Sequence, residues 1–416
     1  MFHEARLSPA DSGIVDESPM EILTASWVLP IAAPPIRNGR VAVHDSRVAW
    51  VGAAADSAAP DGAARDLGPG VLLPGLVDAH CHLELSHLAG RLPFGAGFVP
   101  WVESVVAARG CFPEDEMRSA TRAAIESLEE RGTAAVGDVS NTLGHLGLLR
   151  SSALSAVVFL ELLAWDPKKA GPTLSWAEGR LEGTKATLRP GLEVRLAAHA
   201  PHSCSPSLLR ALVARGGPAA IHLAESAPEA SFLRDGGGDW PGFLERRGLG
   251  DVAFSPPGAS PVRYADSLGV LHPGLVAAHG VHVDAADRDI LARRRVHVVL
   301  CPRSNRNLGA GAADLPGLLA AGVPLALGTD SLASVDTLDV LDDAVLLHRS
   351  FPQVDPAAIL RMATLGGAEA LGFPDLGSIA PGRRAALAFA AAASAPGDPC
   401  EFLLSGETRL RRVATG

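Results

Sequence analysis

Short apolar runs rich in β-branched residues recur along the chain. Each run ends in a polar residue and is followed by a segment whose apolar residues have helical spacing. Eight such runs occupy residues 71–82, 133–138, 155–161, 192–199, 219–225, 275–279, 296–301 and 323–330. Between them, as in 113–131 and 338–348, apolar residues recur at helical spacing. Buried strands that alternate with helices predict an α/β fold, a (β/α)8 TIM-like barrel over residues 73–372.

A doubly wound open sheet is the competing arrangement for alternating strands and helices. Such sheets commonly bind nucleotides through a G-x-G-x-x-G turn after a strand or through a P-loop. The sequence contains neither motif in that position. We therefore favour the closed barrel.

Both ends of the chain differ from this middle region and show short strand patterns. Residues 22–29 are apolar, Asn38-Gly39 is a turn dipeptide, and 40–52 alternates with period two around another turn. Residues 377–416 show a similar pattern of short strands. We predict a small β-sandwich domain built from residues 1–72 and 373–416, in which residues 1–18 form a loose arm.

Polar residues stand where the predicted barrel strands end. The carboxyl ends of all barrel strands share one face, and barrel active sites lie there. The residues in question are His80, His82, Asp138, Glu161, His199, His222, His279, Cys301 and Asp330. Five of the 14 histidines fall at these positions, so we expect them to converge.

The segment His80-Cys81-His82 indicates a metal site. Residues i and i+2 of a strand point to the same side, so both imidazoles face one point while Cys81 faces away. His222 and Asp330 add a third nitrogen and a carboxylate. Three nitrogens and one oxygen suit one divalent metal, zinc in preference to iron, with a position left for water. A helix N-cap is the alternative explanation of Asp330, but its place after an apolar strand together with the other ligands favours a metal ligand.

Two further residues are candidates for proton transfer. Glu225 follows His222 by three residues, and a carboxyl group near a metal suits general acid–base catalysis. The simpler explanation of Glu225 is an N-cap or a salt bridge at the next helix. His279 would face the substrate or a metal ligand, and His199, at the end of strand four, would meet the substrate.

Charge and cysteine content exclude several classes of protein. The 416 residues carry a net charge of −10, and there is no basic stripe that would indicate nucleic acid or an anionic membrane. The five cysteines are dispersed, and we find neither a signal peptide nor a transmembrane segment. We expect a cytoplasmic protein whose partner is a small-molecule substrate, and a homodimer stays open.

Lysine is scarce, and this bears on the number of metal ions. Only three of the 36 basic residues are lysines: Lys168, Lys169 and Lys185. A carboxylated lysine at the end of strand four bridges the two metals of some barrel hydrolases, yet the run 192–199 has none. We expect a one-metal site, and Glu161 is the remaining candidate for a bridging ligand.

The motifs as a set resemble those of the amidohydrolase superfamily, in its branch of nucleobase and nucleoside deaminases. They are PGLVDAHCHLELS (74–86), HAPHS (199–203), HLAES (222–226), HGVH (279–282), CPRSN (301–305) and LGTDS (327–331). The resemblance covers about residues 20–416. It implies His80, His82, His222 and Asp330 as ligands of one metal and Glu225, His279 and Asp330 as catalytic residues. We expect substrate contacts from His199, Trp101, Ser331, Glu84 and Asn141.

Within that branch the chain resembles the aminodeoxyfutalosine deaminases of the futalosine route to menaquinone. Residues 137–163 carry this resemblance, because they lie outside the shared metal motifs. The chain departs from the family pattern at His202, where Tyr is usual, at Val335 and Asp336, where an Asn is usual, and at Ala385-Ala386. The segment 94–106 lacks the sequence motif typical of methylthioadenosine and adenosylhomocysteine deaminases.

The resulting hypothesis is hydrolytic deamination of a 6-aminopurine nucleoside, with 6-amino-6-deoxyfutalosine as substrate. Asp330 and His279 would take the proton of the attacking water, and Glu225 would protonate the ring nitrogen and then the leaving amine. Three alternatives stay open. They are deamination of another aminopurine, an adenosine derivative or a pterin, hydrolysis of a triazine chloride or cyclic amide, and a catalytically silent scaffold.

Overall fold

The computed structural model describes residues 20–415, so the predicted loose arm at 1–18 lies outside the described residues. Across the described range the strands are β1 (Glu21–Val28), β2 (Ile36–His44), β3 (Arg47–Ala53), β4 (Ala64–Asp66), β5 (Gly70–Pro74), β6 (Leu76–Cys81), β7 (Thr133–Ser140), β8 (Ser155–Leu162), β9 (Leu192–Ala198), β10 (Ala220–Leu223), β11 (Val276–His279), β12 (His297–Leu300), β13 (Leu325–Leu327), β14 (Leu387–Ala391) and β15 (Leu410–Val413).

The helices alternate with the strands of the middle region. They are α1 (Phe98–Ala108), α2 (Glu114–Glu130), α3 (Leu146–Ser151), α4 (Ala170–Thr184), α5 (Pro206–Val213), α6 (Ala227–Asp235), α7 (Trp240–Arg246), α8 (Pro261–Ser267), α9 (Ala285–Arg294), α10 (Pro302–Asn307), α11 (Leu315–Ala320), α12 (Val340–Ser350), α13 (Pro356–Arg361), α14 (Gly367–Leu371) and α15 (Pro399–Leu404). A membrane span would need a longer apolar helix than any found in residues 20–415.

Local sequence explains where the predicted helices begin and end. Helix α2 starts directly after Pro113 and has three acidic residues in its first turn, which complement the positive end of the helix dipole. Its buried residues Thr121, Ala124, Ile125 and Leu128 recur every three to four positions and form one face. The helices predicted at 113–131 and 338–348 are thereby confirmed as α2 and α12.

Strands from both ends of the described chain form one mixed sheet of seven strands. The order along the sheet is β15-β14-β5-β1-β2-β3, and β4 also pairs with β1. Strand β14 pairs antiparallel with both β5 and β15, and these bonds connect the carboxyl-terminal segment to the amino-terminal one. A separate apolar cluster that includes Val41, Leu72 and Phe389 packs this sheet.

Two local sequence predictions in this region were wrong. Asn38-Gly39 lies inside β2 rather than in a turn, and a Cβ on Gly39 would lie 2.4 Å from Val28 Cγ2. The hairpin turn is Asp45-Ser46, where both residues adopt positive φ, as in a type I′ turn. We expected the carboxyl-terminal segment to form strands. Residues 399–404 instead form α15, whose N-cap is Asp398.

The middle region contains eight parallel strands in two four-stranded ladders, β6-β7-β8-β9 and β10-β11-β12-β13. Backbone hydrogen bonds join the ladders at both seams. At one seam Ala219 N donates to Leu196 O, and at the other Thr329 N donates to His80 O. Because both seams are bonded, the eight strands close into the predicted barrel.

The alternation of side chains along β8 shows how a strand delivers a polar residue to the barrel mouth. Val158 and Leu160 belong to the cluster between strands and helices, whereas Val157 and Phe159 belong to the cluster inside the barrel. Glu161 continues the second series by period two. Its carboxyl group therefore points inward at the carboxyl end of the strand.

The predicted first run, 71–82, is divided between two sheets. Strand β5 ends at Pro74 and pairs with β1 and β14, whereas β6 begins at Leu76 and pairs with β7. Gly75 stands between them, where a Cβ would lie 2.7 Å from the Cβ of Ala134. A continuous apolar run is thus broken at a glycine that the neighbouring strand approaches closely.

Asp138, a predicted strand-end residue, is buried and does not line the site described below. Its carboxylate accepts hydrogen bonds from Leu83 N at 2.8 Å and from His145 Nε2 at 2.5 Å. Burial alone would lower the pKa of His145, but the Asp138 carboxylate outweighs burial and raises this pKa above its usual value. This buried ion pair fixes the loop after β7 against the segment after β6.

We expect this pair to make stability depend on pH. Because the pKa of His145 is raised in the folded state, its stabilisation is complete below the usual pKa of histidine and is lost as pH rises through the folded-state value. His145→Gln should lower the free energy of unfolding by roughly 3 kcal/mol at pH 6. Denaturant titrations from pH 6 to 9 should show this difference shrinking. A difference that does not vary with pH would contradict the ion pair.

Candidate metal centre

Four predicted ligands come together at the carboxyl face of the barrel. His80 and His82 stand at the end of β6, His222 lies in β10, and Asp330 follows β13, the neighbour of β6 across the seam. His82 Nε2 lies 3.3 Å from His222 Nε2 and 3.5 Å from Asp330 Oδ1. The rings of His80 and His222 are 4.9 Å apart between centroids. These side chains thus face one another across a small buried space.

The donor atoms of this cluster fit a divalent cation. His222 Nδ1 donates to the carbonyl oxygen of His199 at 2.9 Å, so its Nε2 presents a lone pair to His82 Nε2. Two facing imidazole nitrogens at 3.3 Å repel unless a proton or a cation stands between them. His80 Nε2 is buried and finds no hydrogen-bond partner in residues 20–415. Burial lowers the pKa of His80 and of His222, so both are available as neutral ligands.

Asp330 is held by hydroxyl groups on the side away from the histidines. Its Oδ2 accepts hydrogen bonds from Ser304 Oγ and, at 3.3 Å, from Ser334 Oγ. Its Oδ1 is left toward His82. Hydrogen bonds of this kind orient a ligating carboxylate.

Glu225 and His279 adjoin the same cluster. His279 Nδ1 donates to Asn305 Oδ1 at 2.9 Å, so Nε2 carries the lone pair and lies 3.5 Å from Glu225 Oε1. Burial lowers the pKa of His279 to about 4 and raises that of Glu225 well above its usual value. The histidine is therefore neutral and the carboxyl group tends to keep its proton. The pair thus offers a proton acceptor beside a proton donor.

Backbone conformation at the site is unusual. Ala224, His279 and Asp330 all have positive φ, at 54°, 78° and 70°, although none is glycine. Such conformations cost of order 1–3 kcal/mol each and persist where the surrounding contacts impose them. Here the Glu229 carboxylate accepts hydrogen bonds from the backbone N–H groups of Ala224 and Glu225. This contact fixes the turn that presents Glu225.

The close approach of β13 to β6 requires a glycine. A Cβ on Gly328 would lie 2.7 Å from the carbonyl oxygen of His80 and 2.8 Å from its Cβ. Any larger residue at 328 would therefore push against His80. Gly328 lets the backbone that carries Asp330 reach the backbone that carries the histidine pair.

Glu161, the remaining candidate for a bridging ligand, lies on the other side of His222. One carboxylate oxygen accepts a hydrogen bond from Asn141 Nδ2 at 2.9 Å, and the other lies 3.5 Å from His222 Nδ1. Burial alone would raise the pKa of Glu161, but the neighbouring imidazoles of His199, His222 and His82 and the hydrogen bond from Asn141 outweigh burial and lower this pKa. Since His222 Nδ1 already donates to a backbone carbonyl, it has no lone pair for a second metal. The geometry favours Glu161 as a hydrogen-bond acceptor.

The cluster opens into a central pocket of about 190 Å³. All five residues expected to meet the substrate line it: His199, Trp101, Ser331, Glu84 and Asn141. Burial lowers the pKa of His199 to about 3, so its ring is neutral and can accept or donate one hydrogen bond. Trp101 Nε1 donates to Ala333 O at 3.3 Å, which turns the indole toward the pocket wall.

Glu84 is more constrained than the sequence indicated. Its carboxylate accepts hydrogen bonds from Ser140 Oγ, from the N–H of Asn141, and from the N–H and hydroxyl of Thr142. Much of its hydrogen-bonding capacity is thereby used in holding the loop after β7. Glu84 forms part of the pocket wall as a loop anchor.

The departures from the family pattern fall into two groups. His202 lines the central pocket, is buried, and packs against Trp240 with the rings tilted by 33° and 4.3 Å between their centroids. Val335 and Asp336 do not line it. Val335 is buried, and Asp336 pairs with the Arg303 guanidinium, which also binds Asp343 and the carbonyl oxygens of Thr337 and Asp339. Arg303 therefore fixes the loop that follows Asp330.

Residues 71–406 match the sequence profile of the Amidohydrolase family. The chain belongs to this family. The match extends over all eight barrel strands of this amidohydrolase and over β14 of the mixed sheet. It is accordingly a hydrolase that acts on C–N bonds.

Curated relatives of this amidohydrolase are deaminases of adenosine-like nucleosides. An aminodeoxyfutalosine deaminase of Deinococcus radiodurans is 35% identical over 322 residues, which are 74% of this chain and 75% of the relative. A 5-methylthioadenosine/S-adenosylhomocysteine deaminase of Syntrophobacter fumaroxidans is 34% identical over 373 residues, 84% of this chain and 79% of the relative. The predicted resemblance to the deaminase branch is confirmed.

Solved structures share the fold of this amidohydrolase. Helicobacter pylori aminofutalosine deaminase in complex with methylthio-coformycin superposes with a TM-score of 0.81 over 95% of this chain and all of the other, at 24% identity. An adenosine deaminase from Xanthomonas campestris with bound zinc gives 0.77 over 93% and 89%, also at 24% identity. These likenesses support the barrel.

Several contacts of this amidohydrolase site were missed by sequence reasoning. Ser304 and Asn305 lie inside the quoted CPRSN motif, so a signal for them existed, but no partner could be assigned. Glu229 lies four residues after Glu225. Glutamate is common in the first turn of a helix, so its position alone did not indicate a role at the site. Trp240 and Phe243 of α7 line the pocket without any local signal. They reach it only because α7 folds over the barrel mouth beside α1.

Proposed function

We propose that this amidohydrolase deaminates a 6-aminopurine nucleoside and that 6-amino-6-deoxyfutalosine is its preferred substrate. The observation that carries the proposal is the close packing of His80, His82, His222 and Asp330 in one buried cluster, with Glu225 and His279 beside it. Such a site provides both a ligand set and a neighbouring donor and acceptor for protons. Hydrolytic loss of ammonia from an amidine carbon requires these elements.

One zinc ion is the cofactor that we propose, held by His80, His82, His222 and Asp330. Neutral imidazole nitrogens with one carboxylate oxygen are a donor set that zinc accepts in catalytic sites. When bound, such an ion supplies a Lewis acid that lowers the pKa of water toward neutrality. The commitment of His222 Nδ1 to a backbone carbonyl supports one ion rather than two.

The chain's own groups then handle the protons. Glu225 is buried and tends to keep its proton, so it can donate to a ring nitrogen next to the carbon under attack. The lone pair on His279 Nε2 can accept a proton from water, and Asn305 keeps the imidazole in the required tautomer. A C–O bond forms at the amino-bearing carbon, the C–N bond breaks, and the amine leaves as ammonia after protonation.

The choice of substrate rests on the relatives and on residues 137–163. Deaminases of aminodeoxyfutalosine and of methylthioadenosine or adenosylhomocysteine are similar to this chain at nearly equal identity. The segment 137–163 contains the carboxyl end of β7, the loop that anchors Glu84, and β8, and its residues Asn141, Glu161 and Leu163 form one wall of the pocket. Its resemblance to the aminodeoxyfutalosine enzymes favours that substrate.

Ammonia release from a panel of substrates tests the proposal. We expect kcat/KM for aminodeoxyfutalosine to exceed that for methylthioadenosine, adenosylhomocysteine and adenosine by at least about tenfold. Metal analysis of the same preparation should find one equivalent per chain. A preference for methylthioadenosine would overturn the substrate, two equivalents would overturn the one-metal site, and chloride release from a chlorotriazine without ammonia release would overturn deamination.

A further inference from the structure

A second cavity adjoins the central pocket and is larger than it. This side cavity has a volume of about 430 Å³, against about 190 Å³ for the central pocket. The two share four lining residues, Glu84, Leu85, Arg109 and Asn141. Because these four residues line both, the side cavity and the central pocket are direct neighbours.

The walls of the side cavity combine apolar surface with two arginines. Leu85, Met117 and the backbone of Gly110 and Gly144 supply much of the lining, and Arg109 and Arg118 stand at the rim. Arg109 Nη1 donates to Asn141 Oδ1 at 3.1 Å, and the other donors of this guanidinium have no side-chain partner in residues 20–415.

The acidic groups of this cavity leave the two arginines available. Glu84 is held by the loop after β7, as described above, and Glu114 is the other carboxylate in the lining. No ion pair joins Glu114 to Arg109 or Arg118 in the described part of the chain. An anionic ligand group can therefore reach either guanidinium.

We propose that the side cavity binds the 5′ substituent of the substrate, and that this substituent is an apolar arm ending in a carboxylate. The inference rests on the proposed function, because the purine amine must reach the metal cluster. The 5′ carbon lies at the far end of a nucleoside from the amino-bearing carbon, so a nucleoside bound with its amine at the predicted metal ligands can place its 5′ carbon at the shared wall. There an apolar arm finds Leu85 and Met117, and a terminal carboxylate finds Arg109 and Arg118.

The same features discriminate among the candidate nucleosides. Aminodeoxyfutalosine carries a carboxyphenyl group on its 5′ arm, which matches an apolar chamber with arginines at its rim. The methylthio group of methylthioadenosine is neutral and would leave both guanidinium groups unused. The amino acid group of adenosylhomocysteine also ends in a carboxylate, but it carries an ammonium beside it that the guanidinium groups repel, so it is the weaker match. Arg109 and Arg118 are thus specificity residues for the carboxylate.

Substitution of the two arginines tests the proposal. Each lost charge-assisted hydrogen bond should weaken binding roughly tenfold. In Arg109→Gln/Arg118→Gln, the ratio of kcat/KM for aminodeoxyfutalosine to kcat/KM for methylthioadenosine should therefore fall at least about thirtyfold, mainly through KM. The matched control is Arg122→Gln. Arg122 is exposed and lies on α2 with Arg118 but outside the cavity lining, so its substitution should leave the ratio unchanged.

A second variant tests the chamber independently of charge. Gly110 lacks positive φ, and a Cβ built on it meets no atom within 4 Å, so Gly110→Phe can occupy the cavity without backbone strain. It should lower kcat/KM for aminodeoxyfutalosine much more than for adenosine, which has no 5′ arm. Gly147→Phe, where a Cβ also meets no atom, is the control outside the cavity.

The outcomes separate this inference from the proposed function. If the wild type deaminates adenosine and methylthioadenosine but the arginine variant changes all substrates equally, the side cavity is not the carboxylate site and deamination stands. If the wild type releases ammonia from no aminopurine, the proposed function fails and the inference fails with it.

Discussion

Glu225→Gln is expected to lower kcat by at least about a hundredfold, with the metal content unchanged. Glutamine keeps the size of the side chain but cannot supply an acidic proton to a ring nitrogen. Glu225 is not among the four predicted ligands, and its turn is fixed through the backbone by Glu229, so the fold and the metal cluster should persist. Single-turnover measurements with metal analysis test this directly.

The control for this substitution is Glu178→Gln. Glu178 lies on α4 and pairs with Arg215 on the protein surface, away from the site. The Glu178→Gln substitution makes the same change from carboxyl to amide, and this variant should keep the wild-type rate. If Glu225→Gln retained a rate near that of the wild type, Glu225 would have no role in proton transfer and the carboxyl group would be only a structural one.

Asp330→Asn is expected to weaken metal binding by more than about a hundredfold and to lower kcat/KM with it. The substitution removes the only anionic donor of the proposed ligand set, while the amide can still accept hydrogen bonds from Ser304 and Ser334. The fold around Asp330 should therefore survive. Metal content after dialysis, measured beside the melting temperature, separates loss of metal from loss of fold.

Asp336→Asn makes the same change in the same loop and serves as the control. Asp336 is exposed and pairs with Arg303 outside the pocket, so its variant should retain metal and activity. An Asp330→Asn protein that kept a full equivalent of metal through dialysis would show that the carboxylate is not a ligand.

The barrel strands were predictable because a strand buried on both faces is a continuous apolar run. The runs at 133–138, 155–161 and 275–279 correspond closely to β7, β8 and β11. The run at 71–82 was less informative, because its division depends on the approach of the neighbouring strand at Gly75 rather than on hydrophobicity. The Asn38-Gly39 dipeptide was misleading for a similar reason, since pairing along β2 overrode a local turn preference.

The residues around the metal cluster were predictable to the extent that strand ends meet on one face. His80, His82, His222 and Asp330 follow from that rule, as do Glu161 and His199 at the mouth. Asp138 and Cys301 obey the rule in sequence but do not line the central pocket. Asp138 binds His145 instead, a partner seven residues away in a loop whose path no pattern reveals.

The order of the strands, the residue types at their ends and the absence of lysine from strand four can be read directly from the amino-acid sequence. These properties are local, because they depend on which residue stands at which strand end. Tertiary structure decided which groups are free to act. The Glu84 carboxylate is occupied by hydrogen bonds from the loop after β7, Asn305 sets the tautomer of His279, and a side cavity lies next to the central pocket. Hydrogen-bond partners and cavities depend on distances between segments far apart in the chain, and no local pattern contains those distances.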